Sequence, residues 1–298
     1  MMRKLIIGCG YLGLRVARAW LAEGHEVTAL TRSPERAAEL EKRGLRTVCG
    51  DVTEPASLVS LPACETLLYA VGLDRRSGHS QRTVYVDGLE NVLRQMRGRF
   101  GQLIYISSTS VYGQSAGEWI DETSPTMPAR ENGCVCLDAE RTVWKFFEPR
   151  ADDSGTSDST GAAKAHVLRL SGIYGPGRLL SRVEGLRQGT PLGGNPQAFL
   201  NLIHVEDAVR AVLACEERGG ASSTWLVSDN EPVVRQAYYA RLAELVGAPP
   251  PRFAPEESAL SDFGKRCSNR KLRDELQWTP RYPSYEAGLP AALEETVG

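Results

Sequence analysis

Gly8, Gly10 and Gly13 stand at G-x-G-x-x-G spacing, directly after the apolar run Lys4-Leu5-Ile6-Ile7. Residues 12–22 then read as a helix. A strand, a glycine turn and a helix in that order make a pyrophosphate-binding start. Gly8 allows the tight turn, Gly10 lets backbone approach the phosphates, and Gly13 lets helix and strand pack closely. The helix N-terminus adds N–H donors and partial positive charge. Tyr11 and Leu12 lie inside the same loop. The competing reading is a plain glycine-rich turn. The strand before it and the helix after it favour a dinucleotide.

The second strand, 26–30, identifies which dinucleotide. An acid about 20 residues beyond the glycines normally grips the ribose 2′-hydroxyl of NAD. Here the chain has Thr31-Arg32-Ser33. A guanidinium and two hydroxyls suit a 2′-phosphate, so NADP(H) is expected over NAD(H). A solvated loop charge is the alternative for Arg32. Asp51, after a third strand at 46–48, is placed to meet the adenine edge or to cap a helix. Val52 beside it, Ala70-Val71-Gly72 after a fourth strand (66–70) and Ser107 at the end of a fifth (103–107) complete the cofactor-facing set.

These strands alternate with helices at 34–43, 83–96 and 137–147, then a strand at 167–170, a helix at 205–215 and a strand at 224–227. Such alternation builds a parallel sheet covered on both faces. The expected fold is α/β: a Rossmann-type doubly wound sheet with a small C-terminal α/β substrate lobe. The sheet domain is expected over 1–175, with 200–230 returning to it, and the lobe over 176–199 and 231–298. An amphipathic helix at 236–245 ends at Gly247 and three prolines. The polar stretch 152–161 reads as a surface loop.

A net charge of -2 gives no global case for nucleic acid or an anionic membrane. No apolar run approaches a membrane span, and the glycines and Arg15 and Arg18 rule against a signal peptide. Seven scattered cysteines suit reduced thiols in a cytoplasm. Cys134-x-Cys136 lacks a matching second pair, so no metal is expected.

Ile104-Tyr105-Ile106-Ser107-Ser108-Thr109-Ser110-Val111-Tyr112-Gly113 resembles the extended short-chain dehydrogenase/reductase superfamily, in its NAD-dependent epimerase/dehydratase branch. Segments 85–93, 168–178 (ending Tyr174-Gly175-Pro176-Gly177-Arg178), 201–207 (with Ile203-His204-Val205) and 269–289 resemble further motifs of that branch. The glycine spacing departs from the usual G-x-x-G-x-x-G and points to an atypical, YeeZ-like bacterial subgroup. The resemblance implies a Ser/Thr–Tyr–Lys catalytic set, and Ser108 matches the Ser/Thr position. Anchored on Glu140, the Tyr and Lys positions fall on Asn132 and Cys136. No Tyr-x-x-x-Lys occurs from Gly113 to Trp144. Asn132 cannot act as acid or base at neutral pH, and Cys136 cannot supply positive charge.

Tyr112 and Tyr174 are candidate proton carriers. Glu131 reads rather as a solvated helix-start carboxylate and Cys134 as a packed thiol. Arg178 and His204 are substrate-facing candidates, with His204 also readable as a fold-stabilising histidine. The leading expectation is an oxidoreductase or epimerase-like enzyme on a small polar substrate or a nucleotide-linked one such as a nucleotide-sugar. The rival is a catalytically silent NAD(P)-binding regulator. The resemblance also implies a homodimer through the helices near 90–96 and 137–147, against which Arg141 and Lys145 make the second helix less apolar, so the oligomeric state stays open.

Overall fold

The computed structural model describes residues 1–74, 77–148, 163–254 and 256–294. The loop expected at 152–161 lies outside them. In chain order the elements are β1 (Arg3–Ile7), α1 (Gly13–Ala22), β2 (Glu26–Thr31), α2 (Pro34–Glu41), β3 (Arg46–Cys49), β4 (Cys64–Tyr69), α3 (Gly88–Gln95), β5 (Phe100–Ser108), β6 (Ala116–Ile120) and α4 (Glu131–Phe147). There follow β7 (Lys164–Leu170), β8 (Gly172–Tyr174), α5 (Leu180–Arg187), β9 (Phe199–Leu200), β10 (Leu202–His204), α6 (Val205–Arg218), β11 (Ser223–Val227), β12 (Val233–Val234), α7 (Arg235–Leu245), β13 (Gly264–Cys267), α8 (Arg270–Leu276) and α9 (Tyr285–Glu294).

Seven strands form one sheet in the order β11-β7-β5-β4-β1-β2-β3. The chain starts at β1, moves outward through β2 and β3, then returns past β1 to β4 and β5, each pair parallel. The direction of winding therefore switches between β1 and β4, where α/β sheets hold ligands at their strand C-termini. β1 is buried from Lys4 to Ile7, as a strand covered on both faces must be. The expected Rossmann-type sheet is present, with most strands one or two residues longer than the sequence pattern suggests.

Two compact units divide the chain: 1–111, 128–169 and 212–224 in the first, and 112–127, 170–211 and 225–298 in the second. This division puts 112–127 and much of 200–230 in the second unit, where the sequence pattern placed them in the first. The first unit packs Leu5, Ile7, Leu67, Leu89, Leu103 and Val143 into its core. The second is built on Leu202, Tyr238, Leu242, Tyr285 and Leu289, with short two-stranded pairs β10–β8, β12–β9 and β13–β6.

Two elements differ from expectation. α4 begins at Glu131, six residues before the expected 137. Segment 83–96 is a single π-helical turn, Thr83–Asp87, followed by α3. That turn turns Tyr85 so that its phenol oxygen accepts the Leu73 amide at 3.0 Å, and an ion pair between Arg82 and Asp138 ties the turn to α4.

A polar knot lies at the opposite, N-terminal end of the strands. Lys4 is 2 % exposed, and its ammonium pairs with Glu216 of α6. Trp20 Nε1 donates to Glu216 at 2.6 Å, and Thr66 donates to the same carboxylate. A buried ion pair of this kind is costly to break, because one charge is left uncompensated.

Candidate functional site

The glycine loop is built by close approach. Gly8 has φ +99°, and a Cβ there would stand 2.5 Å from the Ala70 backbone. A Cβ at Gly13 would lie 2.3 Å from the Gly8 carbonyl. Both positions therefore exclude a side chain for reasons internal to the fold. Gly10 differs: a Cβ there would meet nothing within 4 Å. Its missing side chain opens space above the turn where α1 begins, with the Leu14 amide donating to Gly10 O at 2.9 Å. An open glycine at a helix start fits a dinucleotide pyrophosphate. Leu12 is buried and Tyr11 half-buried, with the Arg15 guanidinium 4.3 Å from the Tyr11 ring centre.

At the end of β2, Thr31 is half-buried and Arg32 exposed. Arg32 is held by two carboxylates, Asp74 at 3.0 Å and Asp51 at 3.9 Å. Ser33 caps α2: its hydroxyl accepts the Arg36 amide at 3.1 Å and donates to Glu35 at 2.7 Å. That hydroxyl is engaged locally, which leaves Thr31 and Arg32 of the Thr31-Arg32-Ser33 set. Asp51 caps no helix with its side chain; its Oδ1 accepts the Thr53 amide and hydroxyl at 2.8 Å each. Val52 packs into the core, and its carbonyl accepts from Asn91 at 3.0 Å. Ala70 and Val71 are half-buried and Gly72 exposed at the end of β4. Sequence reasoning missed Asp74 and Arg36. Arg36 reaches the Cys9 carbonyl at 3.4 Å.

At the end of β5, Ser107 is buried and donates to Glu140 Oε1 at 2.5 Å. Glu140 is in turn held by Arg169 Nη2 at 2.7 Å, with Arg169 Nε at 3.0 Å from Oε1. Both side chains are over nine-tenths buried. This ion pair ties α4 and β7 to the strand end that carries Ser108. Ser108 is half-buried, and its Oγ accepts the Ser110 amide at 3.1 Å. On α4, Asn132 is exposed and Cys136 buried. Burial raises the Cys136 thiol above its usual range, against a Ser110 hydrogen bond that lowers it. A neutral thiol there carries no charge toward a ligand. Cys134 is exposed and Glu131 opens the helix, also exposed. Among the described residues no three His, Cys, Asp or Glu side chains cluster as a metal site, and no helix is long and apolar enough to cross a membrane.

The second unit holds the remaining candidates. Tyr112 is buried, and its carbonyl accepts from Lys265 Nζ at 2.6 Å. Tyr174 is 3 % exposed and meets the His204 ring edge-on at 5.3 Å; burial holds its phenol far above its usual range. His204 is buried between Tyr174 and Tyr282 (4.2 Å), and its Nδ1 accepts the Glu206 amide at 3.3 Å. Arg178 is exposed, in a turn where its amide donates to Gly175 O at 3.1 Å.

Asp229, which the sequence did not single out, is 1 % exposed. Its Oδ1 accepts the Glu231 amide at 3.2 Å, and Oδ2 has no partner among the described residues. Burial, with the charges of Glu231 and Asp207, pushes its carboxyl up to about 8. The folded state therefore keeps a proton that the unfolded chain releases near pH 4. That stabilisation is complete below about pH 4 and is lost as pH rises toward 8. Urea unfolding should show stability falling across this window in the wild type. Asp229→Asn should flatten the fall; an unchanged slope would remove Asp229 as its source.

A doubly wound sheet with a glycine loop at its switch point, and a β5 end carrying Ser107-Ser108, defines a dinucleotide-binding protein of the short-chain dehydrogenase/reductase kind. Residues 5–227 match the NAD dependent epimerase/dehydratase family, and the chain belongs to that family. It is 27 % identical over 288 residues to protein YeeZ of Escherichia coli strain K12, covering 95 % of this chain and 97 % of that one. It is 26 % identical over 315 residues to a 3-diazoavenalumate denitrifying reductase of a Streptomyces species, covering 97 % and 99 %. Its fold is similar to that of the UDP-glucose 4-epimerase of Thermotoga maritima solved with UDP-glucose, with a TM-score of 0.80 at 19 % identity over 99 % and 98 % of the chains.

Proposed function

We propose that this chain is an NADP(H)-preferring oxidoreductase or epimerase-like enzyme acting on a small polar or nucleotide-linked substrate. The observation that carries the reading is the glycine loop, open only at Gly10, beside a β2 end that bears Arg32 where NAD-binding sheets bear an acid. When bound, a nicotinamide supplies hydride chemistry. The chain's contribution is Gly10 and the α1 N-terminus for the pyrophosphate, Arg32 for the 2′-phosphate, and Ser108 to orient a reacting oxygen. The epimerase likeness supports a nucleotide-linked substrate, because that neighbour was solved with UDP-glucose. The reductase relative supports a redox reaction.

Arg32→Ala should weaken NADPH binding by about 1–3 kcal/mol, the scale of a charge-assisted hydrogen bond, with NADH as the reference. Calorimetric titration checks this; equal affinity of the wild type for both cofactors would sink the NADP preference. One observation favours a second reading, a catalytically silent NAD(P)-binding regulator. Cys136 is buried and neutral where the resemblance expects a lysine. Absorbance change with NADPH or NADP across a carbonyl and sugar-nucleotide panel separates the two.

A further inference from the structure

Arg32 is the bridgehead of three strand ends. Its Nη2 bonds Asp74, beyond β4, at 3.0 Å, and its Nη1 lies 3.9 Å from Asp51, beyond β3. The two acids are held differently. Asp51 is fixed by Thr53, which donates twice to Oδ1. Asp74 is fixed through its backbone, whose carbonyl accepts the Ser77 hydroxyl at 2.7 Å, and its side chain is the more exposed, 37 % against 21 %.

We propose that Asp74 sets the cofactor choice of this site by competing with a 2′-phosphate for the Nη2 edge of Arg32. The inference rests on the reading of Arg32 given above and adds a specificity residue to it. A guanidinium grips phosphate through a fork of N–H donors, and here one arm of the fork is already on a carboxylate. Exposed ion pairs are weak and screened, so a phosphate of higher charge can displace Asp74. The phosphate must break that pair before both arms of the fork can hold it. A ribose hydroxyl meets the opposite situation. It can donate to a carboxylate, and Asp74 and Asp51 supply carboxylates where the end of β2 has none. Asp74 thus opposes the phosphorylated cofactor and tolerates the other. Arg36 is engaged elsewhere, its Nη1 with Glu39 at 2.7 Å and its Nη2 with the Cys9 carbonyl at 3.4 Å.

The test is calorimetric titration of NADPH and NADH into the wild type, Asp74→Asn, Arg32→Ala and the double variant, with circular dichroism melts to confirm folding. Asp74→Asn should tighten NADPH by about five-fold or more, the scale of one charge-assisted hydrogen bond made by the freed arm of the Arg32 fork, without tightening NADH. In the Arg32→Ala background that gain should vanish, since the competition is for Arg32. An Asp74→Asn variant with unchanged or weaker NADPH binding overturns the inference and leaves the NADP preference standing. A gain that persists without Arg32 also overturns it, because bare repulsion would then explain the effect. A wild type that favours NADH but turns toward NADPH in Asp74→Asn upholds the inference and removes the NADP preference. Failure of all four proteins to bind either cofactor overturns both.

Discussion

Gly10→Val is expected to abolish NADP(H) binding while the protein melts close to the wild type. The two halves of this result come from the same observation. A side chain at Gly10 meets no protein atom within 4 Å, so the fold has room for it. The space it fills is that above the turn at the start of α1, where a pyrophosphate must approach the backbone. Gly8→Val and Gly13→Val are the contrasting controls, since both collide with backbone and should unfold or distort the loop. Calorimetric titration and thermal melts read the two effects separately. Retained binding in folded Gly10→Val would show that the glycine loop is not the phosphate site.

Ser108→Ala is expected to lower turnover by roughly 10²-fold or more, as for losing a donor aimed at a reacting oxygen. Asn132→Ala and Cys136→Ala should each change it far less. Ser108 is half-buried on a strand end made rigid by the Ser107–Glu140–Arg169 contacts, whereas Asn132 is exposed and Cys136 is packed inside as a neutral thiol. Steady-state kinetics on the three variants, paired with cofactor titration, checks the ranking. Loss of activity in Cys136→Ala with Ser108→Ala unaffected would mean that the reacting group is not at the end of β5. A silent regulator would show no turnover in any of the three, and cofactor affinity near wild type.

The parts of the fold that the sequence revealed are those with strong local signals. Runs such as Lys4–Ile7 are apolar because both faces of the sheet are covered, and the glycine loop is legible because spacing and flanking elements agree. The apolar pattern put the start of α4 at 137, because Glu131-Asn132-Gly133-Cys134 has no apolar period and contains a poor helix former; only the reading of Glu131 as a helix-start carboxylate pointed to the true start. Gly133 is there for a tertiary reason: a Cβ would stand 2.3 Å from the Ser110 carbonyl. The π-helical turn at Thr83–Asp87 has no sequence signature, and the strands of the second unit are two to five residues long, too short for a pattern. In the site, Gly10, Arg32 and Ser108 were visible as motif positions. Asp74 was not, because a lone acid in a loop becomes informative only when folding brings it to an arginine 42 residues away.

The knot at the far end of the sheet has a consequence for how the chain is made. Lys4 leaves the ribosome well before its partner Glu216, which follows 212 residues later. In between, the ribosome must deliver 170–211, which belong to the other unit. The nascent first unit therefore carries an ammonium, in a place that will be closed to water, with no carboxylate to meet it. Its strands can pair and its core can gather, but the base of the sheet cannot seal until α6 arrives. The order of synthesis and the order of completion therefore differ: β1 is made long before the helix that finishes it.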